Sequence, residues 1–147
     1  MLVENHIKIN LILGLILLFF IKPFYVFIIF LSSILIDFDH YLYHIFEKKN
    51  FSLKKAYNWY LIERERFHNL SLNEKKKHRY FIFIFHGSEV LIIFFILSRY
   101  YPSLFFVFLG FLFHFIEDLI IATKFKYLKR KLFLSYAIYL HIKNKVK

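Results

Sequence analysis

Three apolar stretches of this sequence are each interrupted by histidine and carboxylate: Asp37, Asp39 and His40 in IDFDH, His86 and Glu89 in FHGSE, and His114, Glu117 and Asp118 in HFIED. Ionisable groups inside apolar segments are costly unless they face a protein interior or a wet cavity, and there they mark a site for ions, protons or chemistry. Each of the three segments brings both an imidazole and a carboxylate, the ligand set of a metal site. A fold for this chain must therefore gather distant segments around one polar centre.

The surrounding residues make that centre a membrane problem. Of 147 residues 59% are hydrophobic, with 22 Phe and 11 Tyr, more apolar surface than a soluble core of this size hides. The expectation is a single all-α domain over 1–147, an integral-membrane bundle. No cysteine is present, so neither disulfides nor a thiolate cage is available. The net charge of +11 could suggest nucleic acid, but the basic residues crowd into 47–79 and 124–147, while the gaps at Lys22-Pro23 and Arg99 to Pro102 carry one each. That asymmetry is the positive-inside pattern of a membrane protein, and nucleic acid is disfavoured as a partner.

Apolar segments fall at about 7–21, 24–46, 80–98 and 103–123, giving four expected transmembrane helices. The run after Lys8 imitates a secretory signal, but Lys22-Pro23-Phe24 follows instead of a small-residue cleavage site, so it reads as a retained helix. Pro23 and Pro102 each open a segment, as suits a first helical turn. Ser71 with Glu74 makes a capping box that would start the third helix early. A competing version joins 9–36 into one kinked span. Amphipathic stretches at 52–68 and 125–142, rich in Lys, Arg, Tyr and Leu, read as interfacial helices on an anionic inner leaflet.

With both termini cytoplasmic in the inner membrane, the ionisable residues fall at one depth. Asp37 to His40 come 13 to 16 residues after Phe24, about 20–24 Å deeper at 1.5 Å per residue, which is the cytoplasmic side. His86 lies near the cytoplasmic start of the third helix, His114 and Asp118 near the cytoplasmic end of the fourth, and His6 before the first. Helical phase agrees: His114 and Asp118 are four apart, and Asp37, His40 and His44 form one stripe. Asp39 is off that stripe and needs a local distortion or another role. Glu117 suits a hydrogen bond that orients an imidazole.

Imidazole with carboxylate suits zinc first, with manganese or iron also possible, and a catalytic ion brings water to hydroxide near neutral pH while a spare carboxylate takes the proton. The expected metal ligands are His6, Asp37, His40, His86, His114 and Asp118, with Asp39 or Glu89 as the base. His68, His78 and His141 stand among charged residues and read as solvated.

The order of a His near the start, Asp-x-Asp-His closing a helix, His followed by Ser, and His-x3-Asp on a last helix resembles the membrane-bound metal-dependent hydrolase family described as LexA-binding and inner-membrane-associated. The likeness covers roughly residues 6–118. That family's second block typically reads Pro-Asp-x-Asp-His and its third His-Arg-Gly-x-Thr-His-Ser; here Ile36 stands for the Pro, and His86-Gly87-Ser88 for the final His-Ser, with His78-Arg79 eight residues before it. The resemblance implies a hydrolase. A site at headgroup depth with a basic rim suits a phosphoester or another anionic amphiphile, a small-molecule or lipid-like substrate. Two other classes use the same residues: a small proton- or metal-ion carrier, which needs polar groups at both faces, and a non-enzymatic membrane protein whose His-acid pairs only join helices.

Overall fold

Lys22-Pro23 splits the first apolar region into two helices, α1 (Val3–Leu17) and α2 (Pro23–Leu35). Pro23 sits in the first helical turn, where its missing N–H costs nothing. The two helices fold back on each other, with Gly14 facing Val26, so 9–36 is not one kinked span. The computed structural model describes residues 3–78 and 81–145, and among these the fold is all-helical.

After α2 the chain resumes as α3 (Phe38–Lys48). Across the join the amides of Asp37, Asp39 and His40 bond to the carbonyls of Ile34, Ile36 and Asp37, each three residues back. Winding toward three residues per turn shifts the helical phase. This is the distortion that the off-stripe Asp39 requires, and it turns Asp37 and Asp39 toward the same neighbours.

The stretch Pro23–Lys48, 26 residues, and helix α7 (Leu104–Lys124), 21 residues, are long and apolar enough to cross a membrane. Two other apolar helices are shorter: α1 has 15 residues and α6 (Ser88–Ser98) has 11. At 1.5 Å per residue they reach about 22 Å and about 16 Å, against a hydrocarbon core of roughly 30 Å.

The third segment departs from the helix expected over 80–98. The Ser71–Glu74 capping box forms, but it starts only a short helix, α5 (Leu72–Lys77). Arg79 and Tyr80 lie outside the described residues. A 3-10 turn at Ile84–His86 and an extended Gly87 then precede α6. Long-range bonds hold this turn: the Phe85 amide donates to Asp39 Oδ2 at 3.1 Å, an N–H that a continuous helix would spend on its own carbonyl ladder.

Helices α2 and α7 run parallel, since Tyr25 stacks on Phe106 (4.1 Å) and Ser33 meets His114. Between these points Gly110 faces Ser32, and a Cβ there would collide with Ser32 Oγ and the Ile29 carbonyl. Small residues thus let two helix backbones approach closely. Helix α6 lies antiparallel to α7, with Phe94 edge-on to Phe111 and Phe95 against Phe108. Ile36, Val90, Leu91, Phe111 and Phe115 form the apolar core.

Helix α4 (Leu53–Asn69) is capped by Ser52 and corresponds to the helix expected over 52–68. It lays Tyr60 over His40 and Trp59 over Tyr43, so one face covers the bundle end. The tail expected as one helix over 125–142 is two, α8 (Leu128–Leu132) and α9 (Leu134–Lys145).

Gly110→Ala is expected to cost about 1–3 kcal/mol through overpacking and to lower the thermal midpoint followed by circular dichroism in detergent. Gly14→Ala, whose new Cβ would meet Val26 at an ordinary 3.6 Å, is expected to hold that midpoint or raise it.

Candidate metal centre

His114 anchors the site. It is fully buried on α7, and its Nδ1 lies 2.8 Å from the Ser33 carbonyl. A carbonyl only accepts, so Nδ1 carries the proton and Nε2 presents a lone pair. The close approach at Gly110 brings the Ser33 carbonyl within reach.

His86 is held in a similar way. Its Nδ1 lies 3.0 Å from Asp39 Oδ2, the oxygen that also accepts the Phe85 amide. His6 repeats the device at the start of α1: Nδ1 lies 2.5 Å from Glu117 Oε2, while Asn10 Nδ2 donates to Glu117 Oε1 at 3.0 Å and to the His6 carbonyl at 2.9 Å. The His6 ring stacks on His114 with centroids 4.0 Å apart. A carboxylate or carbonyl on Nδ1 that fixes the ring and frees Nε2 is the usual second layer of a metal-bound imidazole.

The freed nitrogens converge with two carboxylates. His86 Nε2 is 3.3 Å from His114 Nε2 and 3.3 Å from Asp37 Oδ1, and His114 Nε2 is 3.5 Å from the same Asp37 oxygen. Asp118 Oδ2 lies 3.4 Å from His114 Nε2 and 3.6 Å from His86 Nε2. Four ligands at 2.0–2.1 Å around a tetrahedral ion are separated by about 3.3–3.4 Å, so the triangle of Asp37, His86 and His114 has the edge lengths of such a site. Since both rings spend their Nδ1 protons on oxygen, the two Nε2 lone pairs face each other, an arrangement relieved by a cation or by a second proton on His86 directed at Asp37.

Two further groups share these residues: His6, His114 and Asp118, and Asp39, His40 and His86. His6 Nε2 is buried, makes no hydrogen bond among the described residues, and lies 3.5 Å from Asp118 Oδ1. His40 lies between Tyr60 (4.5 Å) and His86 (4.8 Å), with Nε2 3.4 Å from Asp37 Oδ1 and Nδ1 3.3 Å from Asp39 Oδ1. These buried His and Asp groups could hold a metal ion; the donors and their spacing fit one.

All six expected ligands therefore lie in one connected cluster. Of the two expected bases, Asp39 belongs to it but is occupied in orienting His86. Glu89 does not belong: its two oxygens accept the amides of Leu134 (2.9 Å) and Ser135 (2.9 Å), capping α9. A carboxylate at a helix start satisfies otherwise unpaired N–H groups. His44 is buried against Trp59, with neither ring nitrogen hydrogen-bonded among the described residues, and lies outside the three groups. His68 and His78, read as solvated, are half-buried beside the cluster.

Sequence reasoning missed three contributors. Asn10 had a signal, an amide inside an apolar run four residues after His6. Ser33 contributes only its carbonyl, which any residue carries. Lys131, whose Nζ lies 2.5 Å from Asp118 Oδ2, was one basic residue among many in the tail. Compared with known proteins, the chain matches no family model, no curated protein and no solved structure.

Asp39→Asn is expected to weaken metal binding about 10- to 100-fold, measured by chelator competition on the purified protein. Glu89→Ala is expected to leave metal content unchanged while speeding amide hydrogen exchange at the start of α9.

Proposed function

We propose that this chain is an integral-membrane, metal-dependent hydrolase, as its resemblance to the LexA-binding, inner-membrane-associated hydrolases implies, with the His/Asp centre at the cytoplasmic face. One observation carries the reading: three imidazoles have their Nδ1 atoms tied to oxygen, so that Nε2 lone pairs meet Asp37 and Asp118 inside an apolar bundle. Uncompensated, such a set is costly to bury.

His6, Asp37, His40, His86, His114 and Asp118 would hold a divalent ion, zinc preferred over manganese or iron, which would supply Lewis acidity and activate water near neutral pH. The protein's own residues do the rest. Asp39, Glu117 and the Ser33 carbonyl hold the imidazoles in register. Asp37 Oδ2 is buried and makes no hydrogen bond among the described residues, which leaves it as the proton acceptor. Lys131, on Asp118, is placed to meet developing negative charge.

In this reading α1, α2–α3, α6 and α7 all cross the membrane. The short α1 and α6 span by borrowing flanking residues or thinning the bilayer. Exposed apolar side chains such as Phe19, Phe20 and Phe24 would meet lipid, and the basic loops set both termini on the cytoplasmic side. Among the alternatives, purely structural His-acid pairing draws support from one contact, since Lys131 neutralises Asp118 without any metal.

Elemental analysis of the detergent-purified chain decides between them. Wild type is expected to carry stoichiometric metal, and His114→Ala combined with Asp37→Ala is expected to lose it while staying folded. Metal-free wild type would overturn the proposal. Because ligating imidazoles must be unprotonated, retained metal should fall as pH drops from about 7.5 toward about 5.

A further inference from the structure

Two hollows adjoin the cluster from different sides. One is a chamber of about 70 Å³ with Asp118, Lys131 and Arg64 in its wall. At about 10–15 Å³ per water in this measure, it has room for about five waters or one small polyatomic anion. The other is an apolar groove of about 270 Å³ between α2–α3 and α4, lined by Ile34, Leu35, Phe38, Leu53 and Tyr57 and reaching Asp37. Leu35 and Leu53 are 53% and 67% exposed, so the groove opens on the molecular surface. His40 and Tyr60 line both hollows, and their stacked rings form the partition.

The chamber's charges favour an anion whether or not the neighbouring cluster holds a metal. Its acidic wall groups already face cations, Asp118 against Lys131 and Glu63 at 3.6 Å from Arg66. Arg64 faces the same space, and its Nε is buried without a hydrogen-bond partner among the described residues. His68 is neutral near pH 7, because burial pushes its imidazole down to about 4 and Arg64 and Lys75 push the same way. A guanidinium and an ammonium facing one space form a clamp for phosphate-type oxygens.

We propose that the two hollows are halves of one binding site for a long-chain phosphate ester. The phosphate lies in the chamber against Arg64 and Lys131. The acyl or alkyl chain lies in the groove between α2–α3 and α4, and the linking ester passes the His40–Tyr60 partition beside the metal cluster. Cleavage of that ester rests on the hydrolase reading; binding with this polarity does not.

Binding is measured on the full chain in nanodiscs of zwitterionic lipid, with metal content read on the same samples. The probes are dodecyl phosphate, butyl phosphate, inorganic phosphate and dodecyltrimethylammonium. Dodecyl phosphate is expected to bind at least about tenfold tighter than each of the others, since both chain burial and a charged contact contribute. Arg64→Gln is expected to weaken dodecyl phosphate about tenfold while keeping metal content. Leu35→Trp, and independently the more exposed Leu53→Trp, should remove the advantage of dodecyl over butyl phosphate by filling the groove. Equal binding of the cationic amphiphile, or no dependence on chain length, overturns the proposal. Selective binding by a metal-free chain upholds this site and removes the hydrolase reading, whereas metal retained without selectivity does the reverse.

Discussion

The hydrogen bond from His114 Nδ1–H to the Ser33 carbonyl joins two parallel helices one turn from Gly110, where their backbones approach closely. A residue larger than Gly110 would push α7 away from α2 and leave a buried imidazole donor without its acceptor, a loss of about 1–3 kcal/mol. The other rings are placed by reference to this one: His6 stacks on its face, and His86 meets its Nε2. Helix packing and imidazole tautomer are thus decided by the same contact.

Burial makes every polar group answerable, because a donor or charge taken out of water is costly unless it is paired. The cluster answers in layers. Glu117 is shared between His6 and Asn10, and Asp39 between His86 and the Phe85 amide. Tightened winding between α2 and α3 lets two aspartates that are two residues apart reach one imidazole, Asp37 at Nε2 and Asp39 at Nδ1. Of the buried polar atoms that make no hydrogen bond among the described residues, His6 Nε2, Asp37 Oδ2, Asp39 Oδ1 and His40 Nδ1 lie at the cluster.

Much of the site was legible because its residues are expensive. An imidazole or carboxylate in an apolar run needs partners, and His6, Asp37, His40, His86, His114 and Asp118 found one another. Glu89 carried the same signal and answers a different need, the unpaired amides at the start of α9. Nothing in the local sequence separates the two cases, since a helix cap and a metal centre both attract a carboxylate. The third segment misled for a related reason: residues 81–87 are as apolar as a helix requires, yet a long-range bond to Asp39 sets their backbone.

From composition and spacing alone came the all-helical class, the breaks at Pro23 and Pro102, the helix over 52–68 and the identity of the clustered residues, because hydrophobic periodicity and the cost of buried charge are local properties. The tertiary structure alone decided which carboxylates face a ring's Nε2 and which orient it through Nδ1. It also brought Lys131 onto Asp118 and made Glu89 a cap. Those outcomes depend on where distant backbones meet, and that is set by the close approach at Gly110 and the 3-10 turn before α6, features of packing that no single segment encodes.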